Sequence, residues 1–553
     1  MAGSGPGARL RAADPAAAAA LLAGLGALAV IRTTMLPTVG SWDTAEAQVV
    51  LPVLGTMHPT GFPAYVVLGW LASIVLAPLG TPAFLMNLLS ALLVALAVGA
   101  TVLVTRRLGT PLPLAIGVAA GFALTPVVWS IGNAADAHAL HLALVVLLVL
   151  LLLRWERLVD RRDALPGDPA VSRAADRAIV LAAGVFGVAV ANHALSLLLV
   201  PAIGLYVLAV EPRVLRRPRL VLAALGACLG VAALLYLQLP LRAGPFRAPL
   251  VYGRPDTWTG FWDIVLARQF QGDVVSPWAD PAGKVRSLVG LAQDQLGPLV
   301  ALLPAGLLVT AARFPRYALL SGVATGVTVL FASSYVNARI DRYYLGPVFF
   351  SWTWLAVLGA VVVDAFTGRR RGAVAGAPAG ANTRDVVDSS DAAAGPEEEL
   401  PVDVPAWRTP AVVVSVALAV ALLVPTATVL AERWRSVDRS RDTWVEAWLD
   451  QALEAMEPDA VVVSWWSYST PLWYAQLVEG RRTDVFIVDD RTRLDLELGE
   501  LEDVIDAYLG TRPVYLMRLT EGEIDDLRDD YVIVRAGGPG NLFRVTGRQE
   551  TAS

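Results

Sequence analysis

The 553-residue chain is 56% hydrophobic and 17% charged, with a mean hydropathy of +0.56 and a formal net charge of −5. That is too little charge to cover a soluble surface, so much of the surface meets lipid, and nothing in the balance calls for a nucleic-acid partner. The single cysteine, Cys228, lies in an apolar run, which excludes an intrachain disulfide and a cysteine-built metal site.

A hydrocarbon core of about 30 Å takes about 20 apolar helical residues to cross. The first apolar stretch, 15–36, has no convincing small-residue cleavage site before Asp43, so it reads as a span and not a removable leader. Spans are expected next at 83–105, 112–131 and 138–154. The run 178–210 would be about 50 Å long as one helix, too long for one crossing. Arginines flank both its ends (Arg173 and Arg177, then Arg213, Arg216 and Arg217), and basic loops stay in the cytoplasm. It is therefore expected to be a hairpin whose two arms meet near Asn192-His193. Later spans are expected at 219–240, 288–311, 316–335, 343–365 and 409–430.

The basic loops at Arg106-Arg107, 154–177, 211–219, 313–316 and Arg369-Arg370-Arg371 all fall inside only if the Gly- and Pro-interrupted piece 62–78 does not cross. The expectation is an α-helical polytopic protein of about eleven spans in the cell membrane, with a cytoplasmic N-terminus. Residues 1–366 would form the membrane module. Residues 367–408, rich in Ala, Gly, Asp and Glu without periodicity, would be a disordered cytoplasmic linker, and 409–430 the last span. In 431–553 short β-rich runs alternate with helical stretches, which reads as a small extracytoplasmic α/β domain.

This topology collects the four histidines (His58, His138, His141 and His193) on the outer face. Asp43, Glu46, Asp136, Asn192, Arg242, Arg254, Asp256, Asn337, Arg339, Asp341 and Arg342 fall there too. Charges near a membrane are costly unless hydrated or paired, so a one-sided cluster from several loops points to a site, with ordinary loop polarity as the plain alternative. The first loop is the sharpest feature. Asp43 and Glu46 are three apart and share a helix face. Such a pair can act as general base and hydrogen-bond acceptor or ligate a cation, although spacing alone fits helix capping by Ser41 or Asp43 at least as well. The segment 241–287 carries six basic residues against the positive-inside tendency. Phosphate is a natural partner for its guanidiniums, and local pairing with Asp256, Asp263, Asp273 and Asp280 is the alternative. Its aromatics, Trp258 among them, read as interfacial belt residues or as a platform for a sugar.

The runs PTVGSWDTAEAQVV…HPTGFPAYVVLG, NAADAHALHLALVVLLVLLLLRWE, ANHALSLLLVPA, YLQLPLRAGPFRAPLVYGRPDTWTGFWDIVLARQF, NARIDRYYLGPV and EPDAVVVSWWSYSTPLWYAQLVEGRRTDVFIVDD together resemble a bacterial and eukaryotic membrane-protein family whose eukaryotic member is a protein O-mannosyltransferase. The likeness covers nearly the whole chain outside the linker. It departs at Thr44-Ala45, where relatives carry a small residue and glycine, and at Asp136-Ala137-His138, where they often carry glutamate-valine-tyrosine.

The family is similar to GT-C glycosyltransferases, so the resemblance implies a polyprenyl-phosphate-sugar donor, with mannose foremost, and a hydroxyl acceptor on a protein or glycan. It implies Asp43 as general base, with Glu46 orienting it or binding a sugar hydroxyl. Arg242 and Arg339 are the candidates for the phosphate. His58, Asp136, His138, Asn192, His193, Arg254, Asp256, Trp258 and Asp341 complete the expected donor and substrate site. No cofactor is required by this reading, and a divalent cation at Asp43 and Glu46 stays open on a thin ligand count. A flippase or transporter of lipid-linked sugars would carry mid-membrane ionisable groups and internal repeats, and neither is seen. A non-catalytic envelope scaffold is the third reading.

Overall fold

A computed structural model describes residues 14–276, 278–368, 410–489, 492–493, 496–518 and 522–549. The expected linker lies outside the described residues from 369 onward. The helices of the first half are α1 (Pro15–Thr34), α2 (Trp42–Val53), α3 (Pro63–Val75), α4 (Pro82–Arg107), α5 (Leu112–Ala123), α6 (Pro126–Gly132), α7 (Ala137–Ala164), α8 (Pro169–Asn192) and α9 (Val200–Val210). The second half adds α10 (Pro218–Tyr236), α11 (Gln238–Ala243), α12 (Trp258–Val265), α13 (Pro281–Leu296), α14 (Leu303–Arg313), α15 (Pro315–Ala332), α16 (Leu345–Phe366) and α17 (Pro410–Thr428).

Nine of the described helical stretches are long and apolar enough to cross a membrane, and α5 with α6, bent by 69°, make a tenth if counted as one span. The run 178–210 breaks at His193, whose backbone is extended, and its second arm, Ala194–Val210, is shorter than the other spans and opens with a 3-10 turn. The arm returns to the end at which the run begins: Glu211 pairs with Arg162 at 3.1 Å and Arg217 with Asp176 at 2.6 Å, as the expected hairpin requires. The piece 62–78 contains the short helix α3, Pro63–Val75, which at roughly 20 Å is too short to cross.

Local signals set the long helices. Thr81 caps α4 with Pro82 in its first turn, and Asp136 caps α7 by accepting from the His138 N–H. Both helices end on arginine pairs, Arg106-Arg107 and Arg161-Arg162, which favour the negative end of the helix dipole. The caps and the arginines therefore mark opposite ends of the bundle. α1 packs on α4 through glycines: a Cβ on Gly24 would lie 2.9 Å from the Ala95 carbonyl, and one on Gly99 2.7 Å from the Ala20 carbonyl. Small residues let the two backbones meet where the hydrophobic effect cannot drive helices together.

Two buried asparagines lace the capped end. The Asn87 amide donates to the Leu36 and Thr38 carbonyls (2.9 and 3.3 Å), while its oxygen accepts from Gln48 Nε2 (3.0 Å) and the Ala135 N–H (2.8 Å). Asn133 accepts from Thr34 Oγ1 (3.0 Å) and donates to the Val437 carbonyl (2.6 Å). The loops after α1 and before α7, together with α2, are thus fixed relative to each other. After α18 (Leu430–Val437) and α19 (Trp444–Ala455), the C-terminal region folds on a five-stranded sheet, β1 (Val461–Ser464), β2 (Phe486–Asp489), β3 (Val514–Met517), β4 (Tyr531–Arg535) and β5 (Leu542–Arg548). Its order is β2-β1-β3-β5-β4, with β1 parallel to β2 and β3, and β5 antiparallel to β3 and β4. Helix α20 (Trp466–Leu477) follows β1 and lies on α2, and its Tyr474 hydroxyl accepts the Ala83 N–H at 3.2 Å. The sheet domain is thereby seated directly on the capped end of the bundle.

Asn87→Leu should strand the partners of one amide in a buried place, at a cost of about 3 kcal/mol. The measurement is the unfolding temperature of the purified protein. Leucine should lower it clearly, and Asn87→Asp, which sets a buried carboxylate against the Leu36 and Thr38 carbonyls, should lower it at least as much.

Candidate active site

Helix α2 starts without a cap: Ser41 makes no side-chain cap hydrogen bond. The capping reading of the Ser41, Asp43 and Glu46 spacing is therefore not what the fold uses, because both carboxylates turn to other partners. Asp43 Oδ2 lies 3.1 Å from Arg342 Nη2, and Arg342 Nη1 lies 3.2 Å from Asp136 Oδ2. The other Asp136 oxygen accepts from the His138 N–H and meets His138 Nδ1, each at 2.8 Å. One cation from the turn before α16 thus joins the start of α2 to the start of α7. Arg342 and Asp136 are nearly buried, whereas the Asp43 side chain is 39% exposed.

Glu46 is buried and wholly engaged with His58: one oxygen accepts the His58 N–H at 2.8 Å, and the other pairs with His58 Nδ1. Burial alone would lower the His58 pKa. The charge and hydrogen bond of Glu46, with Asp43 behind it, outweigh that and raise it from 6.5 to about 9. Asp136 moves the other way. Burial would raise it, but the Arg342 and His138 charges and the two His138 hydrogen bonds hold it well below the usual carboxylate range.

Ring contacts close the site. His138 and His193 centroids are 4.7 Å apart, His193 reaches Phe62 (5.2 Å), Phe62 reaches His58 (5.1 Å), and His58 reaches Trp466 of α20 (5.9 Å). Trp466 meets Trp42 at 6.3 Å, and Tyr343 touches both His138 and His193. Asn192 donates to the Ala137 carbonyl at 3.1 Å. Several buried polar atoms here have no protein partner: His138 Nε2, Asn192 Oδ1, Arg342 Nε and Thr60 Oγ1. Such atoms are costly unless a water or ligand meets them.

The residues expected from sequence divide cleanly. Asp43, Glu46, His58, Asp136, His138, Asn192 and His193 come together. Arg242 does not join them: its guanidinium donates to the Leu54 and Val53 carbonyls (2.8 and 3.3 Å), holding the far end of α2. Arg339 pairs with Asp341 at 3.3 Å on the surface, Arg254 lies 3.8 Å from Glu497, and Asp256 and Trp258 are exposed. Arg342 takes the central place expected of Arg339, because the 3-10 turn Ile340–Tyr344 turns the later arginine inward. A legible signal existed: Arg342 is the last charge before an unbroken apolar run. Trp466 lies in the Trp465-Trp466-Ser467-Tyr468 cluster, legible as an acceptor contact or as strand packing, and Tyr343 lies in the NARIDRYYLGPV run that carries the resemblance. Asp43 and Glu46 do not fit a divalent cation, since each faces a positively charged or hydrogen-bonding partner, and no group of three or more His, Cys, Asp or Glu among the described residues is placed to hold one.

Solved structures share this architecture along nearly the whole chain. ArnT from Cupriavidus metallidurans, bound to undecaprenyl phosphate and in the apo state, gives TM-scores of 0.55 and 0.57 at 12% identity, covering 96% of this chain and 98% of that one. The Archaeoglobus fulgidus oligosaccharyltransferase tethered with an acceptor peptide gives 0.53 at 13% identity, covering 96% of this chain and 76% of that one. The chain has the GT-C glycosyltransferase fold. In sequence, the family model of the protein O-mannosyl-transferase TMEM260 N-terminal domain matches residues 43–215, and the resemblance read from the motifs holds there. That stretch of the GT-C module begins on Asp43 and contains every histidine of the site, but Arg342 lies beyond it. No curated protein matches the chain in sequence.

The His58–Glu46 pair gives a pH dependence. A histidine whose folded pKa is raised from 6.5 to about 9 stabilises the fold fully below 6.5 and loses that contribution as pH rises through 9. The unfolding temperature of wild type should therefore fall between these limits, and that of His58→Gln should fall distinctly less. Equal slopes would mean that the pair contributes nothing.

Proposed function

We propose that this membrane glycosyltransferase moves a sugar, mannose foremost, from a polyprenyl-phosphate donor to a hydroxyl on the outer face of the cell membrane, with Asp43 as general base. The observation that carries the reading is the division of labour among three neighbouring carboxylates. Glu46 is buried against His58 and Asp136 against Arg342 and His138, while Asp43 keeps one side toward solvent. An acceptor can reach only the last. The similarly folded Cupriavidus protein binds undecaprenyl phosphate, which supports a lipid phosphate as the leaving group. The arginine-rich ends of α4 and α7 lie opposite the site, which supports an outward-facing centre.

The step asks three things of these residues. Asp43 takes the acceptor hydroxyl proton as the acceptor oxygen bonds to the anomeric carbon. The bond from that carbon to the donor phosphate breaks, and the phosphate leaves with the electron pair as polyprenyl phosphate. Negative charge grows on that phosphate while Asp43 becomes neutral. Arg342 is then released from one of its two anions at the moment a new one forms, so its charge passes to the leaving group without a second cation moving in. His138, held through Nδ1 by Asp136, offers Nε2, and with Asn192 it would meet sugar or phosphate oxygens. Glu46 positions His58 and the loop after α2 and is not itself the base.

The test is incubation of the purified protein with a panel of radiolabelled polyprenyl-phosphate sugars. Release of polyprenyl phosphate from one donor, the mannosyl one first, is expected. Asp43→Asn should cut that rate by about 10²–10⁴-fold with the fold intact. Silence across the whole panel, or a fully active Asp43→Asn, would sink the reading.

A further inference from the structure

The ends of α4 and α7 opposite the site carry a group of guanidiniums that no carboxylate among the described residues pairs with. Arg107 Nη1 donates to the Leu150 carbonyl at 2.5 Å, one turn of α7 before Arg154. Arg157 Nη2 donates to the Arg107 carbonyl at 2.6 Å. Arg107 thus lies beside Arg154 and Arg157, and both charges act on it. Next to them Arg106 Nη1 donates to the Thr110 carbonyl at 2.7 Å, while its Nε is buried with no partner. The acids that act on this group are engaged elsewhere. Asp14, whose charge reaches Arg106, caps α1, and Glu156, whose charge reaches Arg157, accepts from Arg316 (3.3 Å) and the Tyr206 hydroxyl (2.8 Å).

Elsewhere at this end of the bundle arginines do find carboxylates. Arg162 pairs with Glu211 at 3.1 Å, Arg217 with Asp176 at 2.6 Å and Arg316 with Asp160 at 2.8 Å. Like charges held this close at a membrane boundary repel, so the group around Arg107 lacks the anion its setting calls for, and the unpartnered Nε of Arg106 marks the same lack. The neighbouring surface says what kind of anion. On α4, Leu92 and Leu96 are exposed, Ala100 and Leu103 are half-buried, and the row ends on Arg107. On α7, Leu147, Leu150 and Leu151 are half-buried, and the row ends on the exposed Arg154 and Arg157. Steps of three and four residues keep each row on one side of its helix. Both helices are long and apolar enough to span, so the free sides of these rows meet acyl chains.

We propose that Arg107, Arg154 and Arg157 bind the phosphodiester of an anionic phospholipid in the leaflet away from the site, with an acyl chain laid along the apolar rows of α4 and α7. A guanidinium matches phosphate oxygens bidentately, and basic pockets between spanning helices at headgroup depth suit anionic headgroups. A free phosphate makes no use of the apolar rows. The acidic run Glu397-Glu398-Glu399 of the chain itself is a competing anion, but a peptide carries main-chain polar groups that cannot lie along those rows within hydrocarbon. The bound lipid offsets the repulsion and clasps α4 to α7. Both helices run from this cluster to the site: Asn87 lies about 30 Å along α4 from Arg107, and Asp136 caps the far end of α7. The lipid therefore steadies, from the opposite face, the two helices that hold the Asn87 network and the Asp136 carboxylate.

The test is the unfolding temperature of the purified full chain in detergent, titrated with phosphatidylglycerol, phosphatidylcholine or inorganic phosphate. Phosphatidylglycerol should raise it to a plateau, as a ligand of the folded state does, and the other two should not. Arg154→Gln removes a side chain that makes no hydrogen bond to the described residues, so it should not lower the lipid-free unfolding temperature, yet it should need about tenfold more phosphatidylglycerol for the same rise. Arg173→Gln, at an exposed arginine of α8 at the same end, should stay within about twofold of wild type. Equal titrations for wild type and Arg154→Gln, or phosphatidylcholine acting as well as phosphatidylglycerol, overturn the proposal. Inorganic phosphate acting at the same concentration leaves an anion site without a lipid. A response that appears only after Glu397→Gln, Glu398→Gln and Glu399→Gln together assigns the cluster to the acidic run. Either of these results overturns it as well. No readout here uses a sugar donor, so each outcome leaves the glycosyltransferase reading untouched.

Discussion

Arg342 is the constraint on which the site depends. A buried guanidinium at the end of a membrane bundle is tolerated only if anions meet it, and here two meet it from different parts of the chain, Asp43 from the start of α2 and Asp136 from the start of α7. The bridge sets the distance between the proposed base and the histidine pocket. With both carboxylates ionised the guanidinium has two anionic partners for one positive charge. In the proposed step protonation of Asp43 leaves it Asp136 alone, which frees one side of its fork for the leaving phosphate.

The surroundings keep this arrangement from collapsing into ordinary ion pairing. Asn87 and Asn133 fasten the loops that carry Asp43 and Asp136, so the carboxylates cannot slide together. Glu46 is held back by His58 and so does not compete for Arg342. Trp466 arrives from the sheet domain to pack on both Trp42 and His58. The C-terminal domain is thus part of the site's wall, and the seating of α20 on α2 and of Tyr474 on α4 gives it a fixed place there.

Much of this is legible in the residues. Apolar length and arginine placement give the bundle, including the break at Asn192-His193, because both rest on solvation costs that do not depend on packing. The same logic puts the four histidines and the first-loop carboxylates at one end. What fails is the choice among arginines. Arg242, Arg339 and Arg342 are alike in composition and depth, and only the 3-10 turn before α16 and the uncapped carbonyls at the end of α2 decide that Arg342 goes inward and Arg242 becomes a clasp. The Trp465-Trp466-Ser467-Tyr468 cluster and the β-rich run that becomes β2 are legible in the sequence, but the place of Trp466 against the site is not, since it comes from how the sheet domain is seated.

The central claim is that Asp43 and Arg342 act as one unit. A double-mutant cycle on the rate of sugar transfer, with Asp43→Asn, Arg342→Gln and the pair together, measures this directly. Groups that act as a unit are strongly non-additive. The account predicts that each single substitution cuts the rate by about 10²–10⁴-fold and that the double is little worse than either. Losses that multiply in the double variant would contradict it, because they would show the carboxylate and the guanidinium acting independently.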